Sequence, residues 1–131
     1  MSTRQSIADF MVRDVTTFSP TLEINHAVAM LLDKGISGAP VVDDTGSLLG
    51  MLTKKDCFRA ALNANYYKQW GGTVAQYMSH DPVTLDVDLD VVSAAEHFLA
   101  SSYRLFPVVD DGQIVGIISR SDLLKAFAQL G

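Results

Sequence analysis

Apolar residues recur along this chain at two spacings, and the spacing switches in the same order twice. Leu22, Ile24, Ala27, Val28, Leu31 and Leu32 fall at helical intervals, and so do Leu89, Val91, Val92, Ala95, Phe98 and Leu99. A short β-like stretch precedes each set, "VTTF" at 15–18 and "PVTL" at 82–85. After each set comes "APVVDD" or "FPVVDD", then "SLLGML" or "QIVGII". Proline suits a strand start, where no ladder donor is required. The turns "DDTG" and "DDG" predict that each pair of strands forms a hairpin. Each half closes on a helical pattern, "DCFRAALNA" or "DLLKAFAQL", with Phe58/Leu62 and Leu123/Phe127 at i,i+4. Thr21 and Asp88 are the predicted N-caps of the first helix in each half, and Gly35 the predicted end of the earlier one.

The two halves are copies. Shifted by 67 residues, "IADFMVRDVTTF" lies on "VAQYMSHDPVTL", and Leu22, Ala27 and Leu32 lie on Leu89, Ala94 and Leu99. "PVVDD" at 40–44 then meets "PVVDD" at 107–111. One residue is lost in the turn, the shift becomes 66, and Gly50, Asp56 and Ala60 meet Gly116, Asp122 and Ala126. The expectation is an α/β (α+β) fold of two β-α-β-β-α units, 7–64 and 74–131, joined by a connector over 65–73. A unit of roughly 60 residues has little core of its own. The two are therefore expected to pack sheet to sheet, helices outside, with pseudo-two-fold symmetry.

Composition narrows the function. The 131 residues are 48% hydrophobic and 19% charged, which suits a globular core. A net charge of −5 argues against broad nucleic-acid binding, which needs many cations facing phosphates, but leaves room for a single nucleotide. Cys57 is the only cysteine, so no disulfide framework is expected, and a reduced, cytoplasmic setting fits. The N-terminus carries no apolar signal-like stretch, and the longest apolar run, 27–32, is too short to span a bilayer; no membrane partner is expected.

One phrase stands out in both copies: "GMLTKKD" at 50–56 and "GIISRSD" at 116–122. Thr53 and Ser119 each precede an aspartate by three residues, the spacing of a capping box that starts a helix. Together with "PVVDD" before the turn, twice and in register with the helical patterns, the phrase makes the chain resemble a tandem pair of CBS domains, a Bateman module. The resemblance covers residues 7–130. It implies a regulatory module, as in chloride channels, inosine monophosphate dehydrogenase and the gamma subunit of AMP-activated kinase. It also implies an adenosine-type ligand (AMP, ADP, ATP or S-adenosylmethionine) and a homodimer.

The residue chemistry admits both readings. A helix N-terminus offers free N–H groups to a phosphate. A carboxylate one turn in has the lone pairs to accept from two vicinal ribose hydroxyls. By resemblance, Asp56 and Asp122 take the ribose. The first site is expected to comprise Thr16, Thr17, Ser37, Gly38, Ala39, Pro40, Thr53, Lys54 and Asp56. The second comprises Val83, Thr84, Arg104, Leu105, Phe106, Pro107, Ser119, Arg120 and Asp122, with Phe106 either stacking on a base or filling the site. Arg13 and His80 match in register and are further candidates for phosphate contact. With Arg104 and Arg120, the second site is better equipped for a phosphorylated ligand.

Other conspicuous residues carry less. His26 and His97 lack partners at metal-ligand spacing. "DVDLD" at 86–90 has no EF-hand spacing and reads as a turn and helix start. Cys57 reads as a small buried residue. Tyr66, Tyr67 and Trp70 in the connector are expected to pack between units or at a dimer face. No constellation supports an enzyme or a resident cofactor. The expected function is a regulatory module that binds an adenosine compound and signals to an effector protein in trans; the alternative is a dimerisation scaffold with vestigial sites.

Overall fold

The computed structural model describes residues 5–129, which divide into two compact units, 16–82 and 5–15 with 83–129. The repeat and the packing therefore cut the chain differently. Each unit takes the helices and hairpin of one copy and the short leading segment of the other.

In the unit 16–82 the order is α1 (Ile24–Lys34), β1 (Gly38–Val42), β2 (Leu48–Thr53), α2 (Lys54–Tyr67), α3 (Val74–Tyr77) and β3 (Ser79–His80). β1 and β2 form the predicted antiparallel hairpin, with Gly38 opposite Thr53 and Pro40 opposite Met51. β3 adds on the far side of β2, Gly50 opposite His80. The first β-like stretch is a single parallel bridge, Phe18 to Val41, held by Phe18 N–H to the Pro40 carbonyl at 2.9 Å and Val42 N–H to the Phe18 carbonyl at 3.0 Å. The other unit has β4 (Leu85–Asp86), α4 (Val91–Ala100), β5 (Leu105–Asp110), β6 (Gln113–Ser119) and α5 (Arg120–Ala128). β4 runs parallel to β5, β5 antiparallel to β6, and Val12 bridges the outer edge at Ile117. The lost residue is a turn difference. Asp111 and Gly112, at φ 52° and 81°, make a two-residue turn. The longer loop after β1 is held by the Asp43 carboxylate, which accepts from Thr45 N–H, Thr45 O–H and Ser47 N–H. Those hydrogen bonds, that from the Thr45 hydroxyl foremost, lower the pKa of this acid.

α1 buries Ile24, Ala27 and Leu31 and turns Leu32 outward, as α4 buries Val91, Ala94 and Phe98 and exposes Leu99. Gly35 ends α1 in the left-handed conformation, as expected. The predicted caps lie two residues early. α1 starts after Glu23, because the Gly72 carbonyl takes the Ile24 N–H at 3.1 Å while Thr21 bonds to Ser19. α4 is capped by Asp90, which accepts from Ser93 N–H, and Asp88 N–H is instead turned to Asp86. Phe58 and Leu62 are both exposed, so α2 does not bury the expected pair. Their register partners are Leu124 and Ala128, and the buried Leu123 corresponds to Cys57. α2 also runs through the first three residues of the predicted connector. Tyr66 and Tyr67 meet edge to face at 4.9 Å and are exposed in the single chain.

The glycine of the repeated phrase has a packing cause. A Cβ on Gly50 would meet the Ser79 carbonyl oxygen at 2.5 Å and Met78 Sδ at 2.9 Å. On Gly116 it would meet Met11 Sδ at 2.5 Å and the Val12 carbonyl at 2.9 Å. The leading segment of each copy thus lies across the bare glycine of the other copy's hairpin, with Met78 and Met11 buried there.

Two predictions follow from the packing. Gly50→Ala forces the edge strand off the hairpin and should lower stability by about 1–3 kcal/mol in denaturant unfolding, whereas Gly71→Ala, with open space around it, should stay within about 0.5 kcal/mol; equal effects would contradict the close approach. Cys57 lies on the buried face of α2, and that burial, with the adjacent Asp56 carboxylate second, raises its thiol pKa. The folded chain therefore keeps a proton that the unfolded chain releases above about pH 8.5. This contribution to stability is complete below that pH and is lost as pH rises through the higher folded value. At pH 8 an aromatic disulfide reagent should modify folded Cys57 at least about tenfold more slowly than the urea-unfolded chain, and equal rates would refute the assignment.

Candidate functional site

Each hairpin runs straight into a helix, which fixes where the repeated phrase points. Thr53 ends β2 and caps α2; Ser119 ends β6 and caps α5. Strand register brings the rest of each expected site to the same end of its sheet. Gly38 lies opposite Thr53, and Leu105 opposite Ser119. The first N–H of each helix is donated across the hairpin, Lys54 to the Ser37 carbonyl at 2.9 Å and Arg120 to the Arg104 carbonyl at 3.1 Å. Parallel pairing on the other side sets Thr16–Thr17 upstream of the Phe18–Val41 bridge and Val83–Thr84 upstream of Leu85–Val108. Within each unit, three chain segments therefore converge at one helix mouth.

Both capping boxes are complete. Asp56 Oδ2 accepts from the Thr53 N–H at 2.9 Å and the Thr53 hydroxyl at 3.0 Å, while Asp56 N–H donates to Thr53 Oγ1 at 3.3 Å. Asp122 Oδ2 accepts from the Ser119 N–H and the Ser119 hydroxyl, both at 2.9 Å, and returns its own N–H at 3.2 Å. Capping is thus a present role of both residues, and in each it uses one carboxylate oxygen.

The second oxygen separates the two copies. Asp56 Oδ1 accepts from Arg59 Nη2 at 3.3 Å, and the same nitrogen donates to the Tyr77 carbonyl at 3.0 Å. Asp56 is 8% exposed. The register partner of Arg59 is Lys125, which makes no ion pair among the described residues. Asp122 Oδ1 has no partner among the described residues. Since no fully buried side-chain oxygen there lacks one, this atom of the half-buried Asp122 is at least partly accessible to solvent. Arg59 was missed by the sequence reading, although its i,i+3 spacing from Asp56 is a helix ion-pair signal.

The remaining site residues sort by exposure. Gly38, Ala39 and Pro40 are buried in β1, and Gly38 packs so closely on Thr53 that a Cβ would lie 3.3 Å from its Cα. Ser37, Thr16 and Leu105 are half-buried; Thr17, Lys54, Val83, Thr84, Arg104 and Arg120 are exposed. Arg120 Nε donates to the Tyr103 carbonyl at 3.1 Å, which keeps this cation beside the start of β5. Phe106 neither stacks outward nor fills the mouth. It is buried with Pro107, its ring 4.7 Å from Phe98 and 5.6 Å from Tyr103. His80 pairs with Gly50, three residues before the cap and so about 10 Å from it along the strand. Arg13 follows the Val12–Ile117 bridge and donates to the Ala8 carbonyl at 3.0 Å. An open groove of about 350 Å³ in the unit 16–82 is lined by Arg59, Leu62, Asn63, Gln76 and Tyr77. Among the described residues no group of three or more His, Cys, Asp or Glu is placed to hold a metal, and no helix is long and apolar enough to cross a membrane.

Comparison with known proteins bears on this paired arrangement. YhcV of Bacillus subtilis, a CBS domain-containing protein, is 31% identical over 90% of this chain and 82% of its own length. The chain spans a smaller share of two other relatives: 42% of protein MJ1225 of Methanocaldococcus jannaschii at 26% identity, and 64% of the chloroplastic CBSX2 of Arabidopsis thaliana at 24%. The crystal structure of CBSX2 in complex with AMP superposes with a TM-score of 0.84 and 28% identity over 95% of this chain and 97% of that one. The CBS domain family model matches residues 7–63 and again 74–129. The chain belongs to the CBS domain family and carries two tandem copies of that domain.

Proposed function

We propose that the chain is a regulatory module that binds an adenosine-type nucleotide at its helix mouths, foremost at the mouth formed by Ser119, Arg120 and Asp122, and passes the binding energy to an effector protein in trans. The observation that carries this reading is the half-used carboxylate of Asp122. Its Oδ2 completes the cap, and its Oδ1 is left with lone pairs open to solvent at the N-terminus of α5. Two vicinal hydroxyls supply the donors that such an oxygen accepts. A phosphate attached to the same sugar would find the exposed Arg104 and Arg120 beside the positive end of the α5 dipole. CBSX2, crystallised with AMP, has the same fold along nearly its whole chain, which supports an adenosine compound as the ligand class. AMP, ADP, ATP and S-adenosylmethionine all present this ribose. Ligand shifts the module between arrangements only as far as its affinity for them differs.

A second reading, an interaction scaffold, draws on one feature: Phe58, Leu62 and Tyr66 follow each other at i,i+4 along α2 and are 68%, 69% and 78% exposed. Such a stripe suits a homodimer contact, and it is compatible with ligand binding.

A charge-assisted hydrogen bond contributes about 1.5–3 kcal/mol, and 1.4 kcal/mol is tenfold in affinity. Asp122→Asn keeps the side chain's shape and one capping acceptor, so it should weaken AMP binding at least about tenfold by calorimetry while leaving the melting temperature of the free protein nearly unchanged. Equal affinities of variant and parent would remove Asp122 from the site. In the parent, AMP at about 100 times its Kd should add about 2.7 kcal/mol of stability; no response to any of the four compounds would favour the scaffold.

A further inference from the structure

The two helix mouths are built alike and closed differently. In the first, Arg59 occupies the carboxylate oxygen that capping leaves free, and the same guanidinium nitrogen is also held by the Tyr77 carbonyl. In the second, the corresponding residue is Lys125, no ion pair forms among the described residues, and the oxygen is open. A ribose approaching Asp56 meets an acceptor already engaged, whereas one approaching Asp122 does not. We infer that Arg59 is an internal latch, which competes with the sugar for Asp56 Oδ1 and makes the two sites fill in order, Asp122 first and Asp56 second.

This inference rests on the nucleotide-binding reading above and adds a specificity-determining residue to it. The latch is intrinsically reversible. The Arg59 side chain is 65% exposed, so water can receive the guanidinium when it swings away, while the carboxylate it leaves is only 11% exposed and needs a replacement donor. Vicinal hydroxyls are such donors. An ion pair this exposed on one side is weak and salt-sensitive, which sets the expected size of the effect at about threefold to fivefold in affinity. Once displaced, the guanidinium becomes a cation close to whatever phosphate the ligand bears. The latch therefore discriminates most against an uncharged nucleoside and less against a nucleotide.

Adenosine separates these contributions because it has the diol and no phosphate. The test is an NMR titration of the full chain with adenosine, reading the backbone amides of 54–56 and 120–122 as reporters of the two mouths. In the parent, the 120–122 signals should reach half-saturation at least about threefold earlier than the 54–56 signals. Arg59→Gln should move the first-mouth midpoint down by about threefold or more and leave the second unchanged. Lys125→Arg, which writes the latch into the second copy, should raise the second midpoint. Raising the salt concentration should narrow the gap in the parent. Both positions are exposed, and a melting curve of each variant checks that it folds. If adenosine binds at 120–122 but Arg59→Gln leaves the first midpoint unchanged or raises it, the latch is wrong and the nucleotide reading stands. If neither mouth responds to adenosine or AMP in parent or variants, the nucleotide reading fails and the latch fails with it.

Discussion

A carboxylate has two oxygens, and an N-terminal capping box engages one of them. Both copies of the repeated phrase end in this arrangement: a hydroxyl residue finishes a strand, the helix begins, and an aspartate one turn in reaches back to the cap. The cap settles where the helix starts, which settles where the carboxylate stands. The other oxygen is then delivered, without further cause, to the point where three chain segments meet. What the molecule does with that oxygen decides whether a mouth is a closed helix end or an acceptor awaiting a donor. Asp56 gives it to Arg59; Asp122 leaves it to solvent.

The backbone that presents these mouths is alike in both units, because the features that shape it recur: a strand in which proline is the third residue and not, as expected, the first, then the hairpin, the glycine and the cap. The glycine couples each hairpin to a segment far along the chain. Met11 lies on Gly116 and Met78 on Gly50, and the leading segment of each copy is thereby pinned to the other copy's sheet. A repeat unit taken alone would lack that covering, which is the packing counterpart of its small size. At the mouths the two units differ in side chains: Ser37 against Arg104, Lys54 against Arg120, Arg59 against Lys125. One scaffold thus holds two mouths of different charge and different closure.

Much of this was legible in the sequence, for physical reasons that also explain the rest. The hairpins, the main helices and the caps at Thr53 and Ser119 depend on residues a few positions apart, so spacing reveals them. The caps of α1 and α4 were misplaced because a local motif competes with tertiary donors and acceptors. Gly72 satisfies Ile24, and no pattern within 21–24 says so. The edge bridges at Val12 and His80 were missed because they are one or two residues long and pair with distant partners. The role of Gly50 and Gly116 was invisible for the same reason. Phe106 could be read as a stacking ring because a strand residue next to proline can face either way. Only the aromatic cluster with Phe98 and Tyr103 turns it inward. The Asp56–Arg59 pair was within reach of a spacing rule, and attention to the cap concealed it.

The most direct examination of the central claim is a crystal structure of the protein grown with AMP. The account predicts a nucleotide at the N-terminus of α5, its 2′- and 3′-hydroxyl oxygens about 2.6–3.2 Å from Asp122 Oδ1, with Ser119 still bonded to Oδ2. AMP bound away from both helix mouths, or an α5 mouth that stays empty at saturating nucleotide, would contradict it.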